Sequence, residues 1–339
     1  MRLIAKLSLL SVWLVMPLSS TSHVALAQTT AVCGRNAAVV STRYDTDGTS
    51  AQLIWSDGQG EEYNLKTGAL IQNYRLESYT TTLLSVAWSP DGKSILAASQ
   101  YGGVHEWEVG TGKLLWTEPG PPNLNSNAVA WSPDGLTFLT LTNGIQLWEA
   151  TTGQLLRTVP DGSSIWVAAW SPDSKLIVTG STDGVARIYE VSTGTLLRTL
   201  PGHIQGVWSV AWSLDGKRIA TSDVANTDSG ASGTVYLWET STGKQLTKFQ
   251  GHQGMVRSIA WSPDGKRLLT GSDDKLARIW ESKTGRLLYT LHRHNNVIWN
   301  VEWSSDGKTV LTSGLDGVAN LWGTSSGKFL RALCPASSN

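Results

Sequence analysis

The sequence predicts an all-β protein, a seven-bladed β-propeller of four-stranded antiparallel blades, on three observations. One segment recurs along the chain, a short alternating strand that ends on tryptophan and runs into Ser-Pro-Asp-Gly or a near variant. The recurrences are spaced about 42 residues apart, a period expected of propeller blades. Seventeen tryptophans stand against three phenylalanines, an excess that repetition explains.

In chain order the clear copies are "SVAWSPDGK" (85–93), "AVAWSPDG" (128–135), "AAWSPDSK" (168–175), "SVAWSLDGK" (209–217), "SIAWSPDGK" (258–266) and "NVEWSSDGK" (300–308). Their tryptophans, Trp88, Trp131, Trp170, Trp212, Trp261 and Trp303, are 43, 39, 42, 49 and 42 residues apart. A degenerate first copy, "RYDTDGTSAQLIWSDGQGEEYNLKTG" (43–68), aligns without gaps on 87–112 and puts Tyr44 in the tryptophan position. Within each unit the first strand ends on the large aromatic and turns at Asp-Gly. A second strand such as "RLLTGS" follows, then a third such as "LARIW" that ends on another aromatic. The third-strand aromatics are Tyr63, Trp107, Trp148, Tyr189, Trp238, Trp280 and Trp322; a Thr-Gly or Ser-Gly turn then leads into a fourth strand such as "RLLYTL". After residue 27 no stretch carries helical periodicity of useful length. A lone four-stranded sheet cannot bury both faces, whereas seven arranged radially stack on one another and leave short, protected edges.

These units resemble the WD-repeat β-propeller family over about residues 36–333. The Gly-His of the family survives at Gly202-His203 and Gly251-His252, and as Arg-His at His294. Its Trp-Asp has become Trp-Glu at Trp107, Trp148, Trp238 and Trp280, and Tyr-Glu at Tyr189, while Asn64 and Gly323 take the acidic position in the end copies. The resemblance implies a hydrogen-bonded structural network joining histidine, hydroxyl, aspartate and the third-strand tryptophan. Unit six, with His252, Ser272, Asp274 and Trp280, carries the full set. The same residues invite a nucleophile, base and orienter reading, but the network accounts better for their partial recurrence at Asp57, Ser99, Ser181, Ser222, Asp183 and Asp316.

Residues 1–27 read as a cleaved export signal: Arg2 and Lys6, the apolar run "LSLLSVWLVMPL", then Ala25-Leu26-Ala27. Residues 28–334 are the propeller and 335–339 a short tail. The apolar run is shorter than the roughly 20 residues a spanning helix needs, so no membrane span is expected. Without residues 1–27 the chain keeps 25 of its 27 basic residues and all 27 acidic ones. A balance near −2 exerts no broad pull on nucleic acid. Because every unit supplies its own four strands, the strand exchange by which the family usually closes its ring is not expected. Cys33 lies eleven residues before Tyr44, and Cys334 aligns with His292, eleven before Trp303. The two cysteines thus share one repeat position at the seam, and a Cys33–Cys334 disulfide is expected there, consistent with export.

Two further motifs suggest metals. Asp45 and Asp47 in "YDTDGTS" imitate the start of a calcium loop, but alignment makes the segment a hairpin turn. His292 and His294 in "HRH" are a pair with no third ligand. No cofactor or metal is expected. The site signal lies elsewhere. The residue four before each first-strand aromatic sits where the strand enters the blade, and there stand Val40, Leu84, Asn127, Trp166, Trp208, Arg257 and Trp299, with Met255 nearby. Trp and Arg are enriched at binding hot spots, while period-2 alternation equally places these tryptophans on the core side. Unit five has 26 residues between its aromatics against 19 in five other units, and the excess forms a polar stretch, "DVANTDSGASG" (223–233), on the same face. The reading is an exported, monomeric, non-catalytic scaffold that binds a protein or peptide through Trp166, Trp208, Met255, Arg257 and Trp299. The alternative is an enzyme or small-ligand binder at the channel mouth, for which Arg257 is the one ionisable group at the rim position.

Overall fold

The computed structural model describes residues 37–333 apart from 46, 79–82, 100–102, 118–127, 143 and 228–229. These form seven four-stranded antiparallel sheets, each made of four strands consecutive in the chain, and no helix occurs among the described residues. Blade one runs from the strand Val39–Tyr44 to Leu70–Arg75, and blade seven from Ile298–Trp303 to Phe329–Leu333. The first strand of every blade touches the first strands of both neighbours, blade seven meeting blade one, so the ring is closed.

The recurring Ser-x-Asp-Gly explains how each blade turns from its first strand to its second. In blade six the Ser262 hydroxyl donates to Asp264 at 2.6 Å and accepts the Arg267 N–H at 2.9 Å, while Asp264 accepts the Lys266 N–H at 3.0 Å. Gly265 closes the turn at φ +66°, a left-handed conformation that costs glycine nothing. The "YDTDGTS" segment makes the same hairpin: Gly48 N–H donates to the Asp45 carbonyl and Thr49 N–H to the Asp47 carboxylate. Of the histidine pair, His292 is exposed and His294 buried.

Seven apolar clusters fill the wedges, each drawing residues from two adjacent blades. The first-strand tryptophans add a directional bond. The indole N–H of Trp170, Trp212, Trp261 and Trp303 donates to the carbonyl of Ala130, Ala169, Ala211 and Ala260 in the preceding blade, at 3.1–3.2 Å. Each indole therefore buries its ring, worth about 2–3 kcal/mol, and satisfies its one donor.

The seam uses different atoms. Tyr44 replaces the tryptophan, its hydroxyl lies 3.1 Å from Thr309 Oγ1, and its N–H donates to Glu302 Oε1 at 3.3 Å. Asn300 donates to the Thr42 hydroxyl at 2.9 Å. Ala37, Val39, Leu53 and Trp55 of blade one pack with Leu311, Leu321 and Leu333 of blade seven. Glu302 occupies the position held by Ala87, Ala130, Ala169, Ala211 and Ala260 in blades two to six. Its Oε2 is sealed and meets no donor at ordinary hydrogen-bond geometry, and the nearby Thr42 hydroxyl favours the ionised form only weakly. Burial pushes the Glu302 carboxyl up to about 8, outweighing the Tyr44 N–H and the nearby Arg43, whose guanidinium is turned towards the Ser89 and Pro90 carbonyls of blade two. Cys33 and Cys334 lie outside the described residues.

Candidate interaction face

The loops entering first strands and those joining second to third strands lie on one face of the ring. There the first strands break their alternation. In blade four Ile165 pairs with Ser181 and Val167 with Gly180, leaving Trp166 as an extra, unpaired residue. The same bulge falls on Val40, Leu84, Arg257 and Trp299. In blade five Trp208 precedes the strand and donates its backbone N–H to the Ser222 carbonyl. A bulge bends the strand and re-aims the extra side chain. The core position passes to the residue before it, so Ile165, Val207, Val256 and Ile298 are buried while Trp166, Trp208, Arg257 and Trp299 are half-buried at the rim. Asn127 lies outside the described residues.

The rim residues meet in two pairs across blade boundaries. The rings of Trp166 and Trp208 lie 5.6 Å apart, tilted by 44°. Arg257 lies 5.2 Å from the centroid of Trp299 and forks Asp273 at 2.6 and 2.9 Å. The Asp273 pair occupies the charge of Arg257, the group on which the channel-mouth alternative relied. Met255 is half-buried and its carbonyl accepts the Asp273 N–H. Ile204, in the loop that leads to Trp208, is 66% exposed. Sequence reasoning passed over it because a lone surface isoleucine carries no signal until the loop is placed beside the tryptophans.

Residues 223–227 and 230–233 are not loop: they prolong the second and third strands of blade five as an antiparallel ladder in which Asp223 pairs with Thr234 and Thr227 with Gly230. These five paired positions span four rises and project the blade by about 14 Å at a strand rise of about 3.4 Å. Gly233 makes this approach feasible, since a Cβ there would stand 2.3 Å from the Gly254 carbonyl of blade six.

Below the rim, the histidine network is wired differently from the sequence expectation. In blade six Trp280 N–H donates to Thr270 Oγ1 at 2.9 Å, His252 Nε2 meets the same hydroxyl at 2.7 Å, and Asp274 lies 2.9 Å from His252 Nδ1. The bridging hydroxyl is therefore Thr270, and Ser272 instead donates to the Gly254 carbonyl at 3.1 Å. The reason is depth: Ser272 stands two residues nearer the rim on the same strand face, beyond reach of the indole. Fully buried and bonded to a backbone carbonyl, Ser272 is not placed to act as a nucleophile. Burial lowers His252, and Arg278 with His252 holds the Asp274 carboxyl well below the usual carboxylate range although burial opposes this. Blade seven repeats the set with His294, Thr312, Trp322 and Asp316, and blade five with His203, Thr221 and Trp238.

No grouping of three or more His, Cys, Asp or Glu residues suited to a metal occurs among the described residues, and no helix there is long and apolar enough to cross a membrane. A family model described as WD domain, G-beta repeat matches residues 71–108, 153–190, 194–239, 243–281 and 285–323, together more than half of the chain. Each match runs from the fourth strand of one blade to the third strand of the next. Propellers of this kind commonly serve as protein-interaction scaffolds and are typically non-catalytic. With seven four-stranded blades, three Trp–Thr–His networks and five matched repeats, this chain belongs to the WD-domain, G-beta repeat family.

Proposed function

We propose that the protein is an exported, non-catalytic scaffold that captures a protein or peptide on the rim formed by Trp166, Trp208, Met255, Arg257 and Trp299, with Ile204 and the ladder of 223–227 and 230–233 at its border. The observation that carries this reading is the strand bulge, which spends a ladder position in blades four, six and seven to hold a large side chain at the rim. Half-buried aromatics braced in pairs lose little freedom on binding and offer the contact chemistry of hot spots. Export rests on the basic, apolar and small-residue pattern of residues 1–27. The seam clasp rests on repeat position, and it is supported by Leu333, next to Cys334, packing in the same cluster as Ala37, four residues after Cys33.

The test is capture from the native exported fraction with the chain and its Trp208→Ala/Trp299→Ala variant as baits. Partners retained by the chain and lost by a folded variant support the rim. Equal capture by both overturns it.

A further inference from the structure

Blade four departs from the network of blades five to seven. Counting back nine residues from the first-strand tryptophan, His203, His252 and His294 are replaced by Asp161, and the third-strand tryptophan by Tyr189. Thr179 keeps the position of Thr270, directly across the ladder from Arg187 as Thr270 is from Arg278. With neither imidazole nor indole to bridge, its hydroxyl is fully buried and without a partner. The smaller pair of side chains leaves a cleft of about 550 Å³ lined by Asp161, Ser163, Asp183, Arg187, Tyr189 and Leu196.

The charges of this cleft do not balance. Arg187 forks Asp183 at 2.6 and 3.2 Å. Asp161 accepts the Tyr189 hydroxyl at 2.7 Å and the Ser163 N–H and Oγ–H at 3.0 and 2.5 Å, but it forms no ion pair among the described residues. Two carboxylates face one guanidinium, and Oδ2 of each aspartate has taken a single hydrogen bond, leaving acceptor capacity. The Tyr189 ring stands on the same sheet face as Arg187, giving an aromatic surface beside the surplus negative charge.

We infer that the blade-four cleft is a binding site for a basic side chain, whose cationic head is held by Asp161 and Asp183 and whose stem lies along Tyr189 and Leu196. A charge-assisted hydrogen bond to Asp161 supplies the specificity, and the site is independent of the rim reading. Asp161 and Ser163 stand in the loop that leads to Trp166, which places the cleft where a lysine or arginine side chain of a bound chain can enter it.

The probe is Nα-acetyl-lysine N-methylamide titrated into the isotope-labelled full chain, with the norleucine analogue as control. Saturable shifts of the Ser163 and Val185 amides with the lysine compound alone are expected. Asp161→Asn, whose amide oxygen still accepts a hydrogen bond, is expected to weaken binding about tenfold, the loss of one charge-assisted contact. Asp161→His/Tyr189→Trp restores the residues of blades five to seven, and is expected to fill the cleft, abolish binding and raise the melting temperature. Equal response to norleucine, or unchanged affinity in Asp161→Asn, overturns the site. If the double variant does not fold, the Asp161→Asn comparison decides alone.

Discussion

Glu302 makes the stability of the ring depend on pH in a direction opposite to that of most carboxylates. Its carboxyl is pushed from 4.5 up to about 8, so the folded chain holds this proton more tightly than the unfolded chain does. The stabilising contribution is fully present below about pH 4.5 and is lost as pH rises through about 8. The full shift of 3.5 units corresponds to an upper bound of about 5 kcal/mol at about 1.36 kcal/mol per unit. Between pH 6 and pH 9 the loss is about 2–3 kcal/mol. The carboxylate charge is shared by both oxygens and the residue keeps some solvent contact, so these figures are ceilings even though Oε2 is sealed. Glu302→Gln keeps the shape and removes the titration. Urea unfolding of both proteins at pH 6, 7, 8 and 9 isolates the effect, since all other groups titrate alike in the two. The stability difference between variant and parent is expected to move by about 2 kcal/mol in favour of the variant from pH 6 to pH 9. A difference that stays constant across this range refutes the account of the seam.

Other outcomes follow from single contacts. Thr270→Val removes the hydroxyl that accepts the Trp280 N–H and meets His252 Nε2, leaving both without a partner in a buried site, and is expected to cost about 2–4 kcal/mol. Ser272→Ala, which frees the Gly254 carbonyl and the Asp274 N–H but leaves the indole and imidazole bridged, is expected to cost less, about 1–2 kcal/mol; the reverse ranking in urea melts sinks the rewired network. Gly314→Ala places a Cβ 2.1 Å from the Val297 carbonyl beside the Trp299 bulge, whereas at Gly162 nothing lies within 4 Å. The first is expected to lower the melting temperature by several degrees, at a cost of about 2 kcal/mol or more, and Gly162→Ala to change it little. Intact mass after alkylation without reductant is expected to show no adduct on the exported protein, and two adducts would rule out the Cys33–Cys334 clasp.

Much of the fold was legible because its signals are local. The spacing of Trp88 to Trp303, the Ser-x-Asp-Gly turns and the period-2 strands each specify geometry within a few residues, and identical wedges have one way to bury both faces of every sheet. Even Tyr44, in the degenerate copy, was placed by alignment alone. What the sequence could not decide depends on how segments meet. Trp166 and Trp299 were equally compatible with core and rim, and a single extra residue in the ladder turned them to the rim. Thr270 rather than Ser272 bridges the network because depth along a strand is set by the partner reaching in from another segment. The ladder of 223–227 and 230–233 hides in a run of small polar residues whose pairing is fixed by the blade beneath it. Glu302 reads as one more charged residue until the last blade closes on the first, and only that closure removes its carboxyl from water.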